Sequence, residues 1–426
     1  SKMYYTPNKE NNVFQLVVQY GAGEREFPKL GYAAQLMNNA GIMGAYEPQE
    51  LKEELSKLNA TCHVTADEDN LYIIMEGYEA TLPQACQLLS RQILMPKLDE
   101  KQLARLKGSA MGMRQQRKDN VSILNEALRQ YMLYGEKSDY IKELTDKEIY
   151  ELQISELTGD INRASNYEAK VFFTGTLPFD QVYDILSKNL PLVANERPSN
   201  SPQAKEMMPV TENTVYFLPN NDAEQAQIHL YIPMQKADKK DDVLRSAFNQ
   251  YFGLDFTGIV LNEIREKRSM AYTAYAFVGT QGIAGKASYL RGYIGTQNDK
   301  ANDALDVLMS LVNDMPKNPE RIGNIKSYLR QAMLTSHPSF RNKAMELVDL
   351  GYRGYTDDPA KENLPKVDAL TFDDIVKFYE ENIKGKPYCI SIMGNPKDID
   401  LKRLEKFGKV VKLNERKLFN TKDALF

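Results

Sequence analysis

Histidine is the commonest protein ligand for catalytic metals, and it occurs only three times in these 426 residues, as His63, His229 and His337. The closest two are more than a hundred positions apart. A hydrolytic zinc site on a helix needs ligands three or four residues apart, so that both project from one face. No such pair is present, so the sequence offers no zinc ligand set of that kind. His63 and His229 lie in alternating, strand-like stretches and are expected to be partly exposed sheet residues. The supports for other chemistries are missing as well. There is no G-x-x-x-x-G-K-S/T loop for phosphates, no G-x-G-x-x-G for dinucleotides and no G-x-S-x-G elbow for a serine nucleophile.

Cys62, Cys86 and Cys389 are odd in number, far apart and without C-x-x-C spacing, so they predict neither a disulfide framework nor a thiolate metal site. They are expected as buried apolar thiols. Asp67-Glu68-Asp69 and Lys239-Lys240-Asp241-Asp242 read as solvated loops. The densest segment runs from Leu261 to Tyr275, with Glu263, Arg265, Glu266, Lys267 and Arg268 followed by Tyr272 and Tyr275. By pattern it is an amphipathic helix leading into a strand. Glu263 and Lys267, four apart, suit a weak surface ion pair, and on spacing alone the charges form a solvated face. A net charge of -4 without a basic stripe argues against nucleic acid as a partner. No apolar run approaches the roughly 18–20 residues of a membrane span, and the start lacks a basic-then-apolar signal pattern. A soluble chain is expected, in periplasm or cytoplasm.

The elements that must position these residues come from a chain too long for one core, since cores stop growing near roughly 250–300 residues. With 42% apolar and 26% charged residues it belongs among ordinary globular proteins, and two domains are expected. The chain repeats itself. Met3-Tyr4-Tyr5-Thr6-Pro7-Asn8 is echoed by Val215-Tyr216-Phe217-Leu218-Pro219-Asn220, each followed by a strand-like run, 13–20 and 227–232. Met95-Pro96-Lys97 recurs as Met315-Pro316-Lys317, and Lys170 to Gly175 matches Cys389 to Gly394. Before each Met-Pro lies a helix with one apolar stripe: Ala85, Leu88 and Leu89, then Leu305, Leu308 and Met309. A polar, proline-containing stretch, 195–203, reads as an exposed linker. The predicted architecture is α+β: two tandem repeats, 1–200 and 206–426, each an antiparallel sheet with helices mainly on one face.

The Leu261–Tyr275 segment resembles the pitrilysin/insulysin family of metallopeptidases. Members carry an Arg, six intervening residues and a Tyr in the last of four related domains, and Arg265 and Tyr272 have that spacing. Phe248 to Gly253 before the pair and Tyr293 to Lys300 after it also resemble family members, and the likeness extends over essentially the whole chain. It implies the LuxS-like metallopeptidase fold, with two such domains in each half and two halves closing around a chamber for unfolded peptide. In the active half, H-x-x-E-H supplies two zinc ligands and the glutamate that activates water. Here the matching helix near Gly31 to Asn38 offers Ala, Met and Asn. The resemblance therefore implies a zinc-free C-terminal half or subunit, inactive alone and without its own cofactor, that closes over a zinc-bearing N-terminal half. Arg265 and Tyr272 would then donate to the substrate carbonyl and the oxyanion. The alternatives are an inactive scaffold or peptide-binding subunit of the same fold and, far behind, a self-sufficient hydrolase. A homodimer of this chain is a further expectation, because a surface meant for the other half can accept a second copy.

Overall fold

The computed structural model describes residues 1–190, 197–254 and 257–422. In chain order the strands of the first part are β1 (Lys2–Pro7), β2 (Val13–Tyr20), β3 (Gly41–Ile42), β4 (Thr61–Ala66), β5 (Leu71–Tyr78), β6 (Pro96–Lys97) and β7 (Ala169–Gly175). Those of the second part are β8 (Thr214–Pro219), β9 (Gln225–Lys236), β10 (Ala271–Thr280), β11 (Ala287–Gln297), β12 (Cys389–Gly394) and β13 (Lys409–Lys412). One sheet has the order β1-β7-β2-β5-β4 and the other β13-β8-β12-β9-β11-β10, while β3 and β6 form a small ribbon.

Without β13, the two orders are the same sequence of equivalents. Met3 pairs with Val171 in the first sheet, and the echoed Val215 pairs with the echoed Ile390 in the second. Gln15 opposes Thr174, and Gln227 opposes Met393. The fold is α+β, and both sheets are mixed: β1–β7, β8–β12 and β8–β13 are parallel, the other pairings antiparallel. The parallel pairs arise because the first strand of each repeat is joined to its neighbour through all the intervening helices, a connection long enough to reverse direction.

Period-two alternation makes one face of each sheet apolar. Phe14, Leu16 and Val18 on β2, and Ile228, Leu230 and Ile232 on β9, are fully buried. Helices Leu82–Leu94 and Ala301–Asn313 lie against these faces, burying Ala85 and Leu89, and Leu305, Leu308 and Met309. Each fully buried Leu or Phe side chain contributes about 1.5–3 kcal/mol relative to exposure.

The opposite faces are covered by exchange. Helix Val121–Tyr134, from the first repeat, crosses onto the second sheet, where Leu124 and Leu128 meet Leu218 and Met393, and Met132 and Leu133 meet Tyr231 and Cys389. Helix Lys343–Tyr352, from the second repeat, lies against β1 of the first sheet. Near the C-terminus, Leu413 and Leu418 join the cluster of Leu124 and Leu128, Asn420 N–H donates to Tyr140 O (3.0 Å), and Asn420 Nδ2 donates to Glu143 O (2.9 Å). Of the polar stretch 195–203, Asn195 and Glu196 lie outside the described residues. The remainder does not hang free. Glu168 N–H donates to Arg197 O (2.8 Å), Asn200 N–H donates to Gly21 O (2.7 Å), and a Cβ at Gly21 would collide with Ser199.

The crossing helix also corrects the expectation for His229, which is 3% exposed rather than an open sheet residue. Its Nε2 lies 3.1 Å from Asn125 Oδ1 on that helix. Burial, with Arg129 and Arg291 nearby, lowers its pKa to about 3. A histidine with a folded pKa below its unfolded value near 6.5 binds protons better when unfolded. Its contribution to stability is therefore complete above about pH 6.5 and is lost as pH falls through 6.5 towards 3, by up to roughly 1.4 kcal/mol per pH unit. Urea midpoints at pH 7.5 and 4.5 should fall further for the native chain than for His229→Gln. Equal acid sensitivity in both proteins would contradict this account.

Candidate functional site

The segment carrying Arg265 and Tyr272 does not form the amphipathic α-helix expected from its pattern. A single turn, Ile259–Leu261, passes into a π-helical turn, Asn262–Glu266, closed by Lys267 N–H donating to Asn262 O at 2.9 Å. Ile264 is fully buried and plugs this turn into the second core, which sends its neighbour Arg265 outward. The chain then reverses through Ser269, whose φ of +50° is uncommon for a residue other than glycine. Two backbone bonds hold the reversal: Ser269 N–H to Arg265 O (2.8 Å) and Met270 N–H to Ile264 O (3.0 Å). The Thr296 hydroxyl donates to Met270 O and ties it to β11.

Tyr272 follows in a β-bulge. Ala271 pairs with Thr296 and Thr273 with Gly295, so Tyr272 is the extra residue on the edge strand β10. Bulges re-aim side chains, and π-turns recur at functional sites. Tyr272 is 78% exposed, and Arg265 Cζ lies 5.1 Å from the centroid of its ring. A cation over a ring at an exposed site contributes about 0.5–1 kcal/mol, enough to bias the two side chains towards one another.

The surrounding charges leave Arg265 available. The Glu263 carboxylate takes both Lys267 and Arg268, each at 2.5 Å, and these partners hold its pKa below the usual range. Arg265 has one ion pair among the described residues, from Nε to Glu266 at 3.4 Å. Farther along β10, Asn249 at the end of helix Asp242–Phe252 donates to Val278 O (3.0 Å) and accepts from Val278 N–H (2.7 Å), pinning the strand to the helix. Asn38 does the same for the edge strand β4, with both bonds to Val64 at 2.8 Å.

That second asparagine closes helix Leu30–Met37, where the zinc motif would lie in an active half. Ala33, Ala34 and Met37 are buried in the core, and Asn38 is committed to β4, so these residues do not fit a metal. Among the described residues no group of three or more His, Cys, Asp and Glu side chains could hold a metal ion. His63 and His337 are exposed and far from one another in the fold's element order, on β4 and after helix Ile322–Thr335. The cysteines are free: Cys86 and Cys389 are buried, and Cys62 is half-buried. A cavity of 590 Å³ opens beside helix Leu30–Met37, but its arginines, Arg114 and Arg117, are already paired with Asp146 and Glu143.

Sequence reasoning passed over one part of this surface. On the outer face of the second sheet, Tyr231, Arg291 and Phe277 form one cross-strand row, and His229, Tyr293 and Tyr275 the next. The alternation Tyr275-x-Phe277 and Tyr289-x-Arg291-x-Tyr293 was the available signal, an aromatic set on the face opposite the core.

The chain thus holds two tandem α+β units with exchanged helices, and an Arg–Tyr pair in which the half-buried Arg265 sits on the π-turn and the exposed Tyr272 on the edge strand β10. Residues 165–326 match the family model described as Peptidase M16 inactive domain. No curated protein matches the chain in sequence. Among solved structures, the peptidase M16 inactive domain from Pseudomonas fluorescens is similar with a TM-score of 0.71 at 16% identity, covering 92% of this chain and 95% of that one. The periplasmic protease PqqL from Escherichia coli gives 0.68 at 13%, covering 91% of this chain and 43% of that one. The ferredoxin protease FusC, in complex with Arabidopsis ferredoxin, gives 0.70 at 12%, covering 92% and 44%. At these identities the likeness establishes the fold. The chain spans less than half the length of the latter two.

Proposed function

We propose that this chain is the C-terminal half, or the non-zinc subunit, of a zinc-dependent peptidase, closing over a zinc-bearing half and helping to turn over unfolded peptide. The observation that carries this reading is the Arg265–Tyr272 pair, its tyrosine exposed, held by a π-turn, a positive-φ serine and a bulge in a chain whose residues 165–326 match the M16 inactive-domain model. The lengths of PqqL and FusC, each more than twice the span matched here, support a partner half.

The zinc of that half, when bound, supplies activated water. This chain's part is to meet the charge that develops on the scissile carbonyl oxygen. Tyr272 donates its phenolic proton in a hydrogen bond without adding a full charge beside the metal, and Arg265 offers planar N–H donors to the oxyanion or a neighbouring carbonyl. Closure must bring these donors to about 3 Å from the oxygen. The second reading is a scaffold or peptide-binding subunit, favoured by the inactive-domain match itself.

Arg265→Lys separates the two. In the assembled pair, a point charge in place of the fork should lower kcat about tenfold or more, with assembly unchanged, as measured on a labelled peptide. Normal turnover by that variant would leave the scaffold reading in place.

A further inference from the structure

Building on that reading, we infer that Arg291 and the aromatic side chains around it form a subsite for a carboxylate of the bound peptide, some distance along β10 from Tyr272. Arg291 lies on β11, directly opposite Phe277, and its Cζ is 5.6 Å from the Phe277 ring centroid. In the next row the Tyr275 and Tyr293 rings are tilted against one another with centroids 5.4 Å apart, and the Tyr275 ring lies 6.1 Å from that of Phe277. Arg291, Tyr275, Phe277 and Tyr293 are all half-buried at the margin where helix Val121–Tyr134 stops covering the sheet.

Charge complementarity defines the occupant. Arg291 has no carboxylate at ion-pair distance among the described residues, and its Nε is buried without a hydrogen-bond partner. The cations and acids that face it from the packed elements do not neutralise it. Glu126 on the covering helix is held by Arg129 through both carboxylate oxygens, and His229 beneath is neutral near pH 7. A guanidinium that cannot lose its proton, stacked on one ring and lacking an anion, is complementary to a carboxylate. Five residues of extended strand separate Tyr272 from Phe277, about 17 Å. A peptide lying along this face with its reacting carbonyl at Tyr272 would present a carboxylate to Arg291 about five residues away. An acidic side chain and a free C-terminus share that chemistry.

The test uses fluorescein-labelled twelve-residue Ala/Gly/Phe peptides and the unmodified chain, with fluorescence anisotropy as the readout. One pair differs by a single internal Glu or Gln, and a second pair by a C-terminal acid or amide. The expected result is at least tenfold tighter binding of the acid member of one pair, identifying the source, weakened by salt and abolished by Arg291→Gln. In the assembled enzyme, Arg291→Gln should raise KM for the acidic peptide alone, whereas Tyr272→Phe should lower kcat for every peptide. Equal binding within both pairs, binding of no peptide, or an acid preference undiminished in Arg291→Gln overturns the subsite. None of those results touches the kcat loss on which the role of Tyr272 rests.

Discussion

Tyr272→Phe in the assembled two-half enzyme should lower kcat by about 10² to 10³ while KM stays within a factor of a few. That range corresponds to the roughly 3–4 kcal/mol typical of one donor removed from a preorganised oxyanion site. The substitution is selective. Tyr272 is 78% exposed, so the fold loses little, and phenylalanine keeps the ring on which Arg265 lies. Only the hydroxyl disappears. Surface substitutions of this kind ordinarily change stability by no more than about 0.5 kcal/mol, so thermal unfolding of the variant serves as the control. Unchanged kcat and KM would remove Tyr272 from the chemistry.

The largest effect on stability is expected from Phe248→Ala. Phe248 is fully buried, with its ring centroid 5.0 Å from that of Phe252 and 5.8 Å from that of Phe378. Deleting it removes transfer free energy and leaves a cavity between helices Asp242–Phe252 and Phe372–Asn382, a cost of about 3–5 kcal/mol. The damage should reach the strand that carries Tyr272, because Asn249, the next residue, makes both hydrogen bonds to Val278 on β10. A lower urea midpoint accompanied by faster amide exchange along β10 is the expected result. A loss below about 1 kcal/mol would mean the core can close over the gap.

How much of this was legible in the sequence depends on the range of the interactions concerned. The repeat was legible because alternation and glycine stops are local, and the structure pairs Met3 with Val171 just as it pairs their echoes, Val215 with Ile390. The helix stripes through Ala85 and Leu305 were legible for the same reason. The burial of His229 was not, since it depends on Asn125 and its helix arriving from 104 residues away. Nor was the shape of the Arg265 segment. Its charge spacing suits an α-helix, but the need to bury Ile264, reverse at Ser269 and enter an edge strand at Ala271 imposes a π-turn and a bulge. Arg291 escaped notice because an unpaired charge is recognised only when every neighbour is known. Arg265 and Tyr272 were singled out by resemblance, and the geometry adds that they are adjacent, the tyrosine exposed and the arginine half-buried.

The most direct measurement is cleavage of a labelled unfolded peptide by a zinc-bearing H-x-x-E-H half and by this chain, each alone and mixed. The account predicts turnover from the mixture, sensitive to a chelator, and at most residual activity from either component alone. Chelator-sensitive cleavage by this chain alone, or full activity of the zinc half without it, would contradict the account.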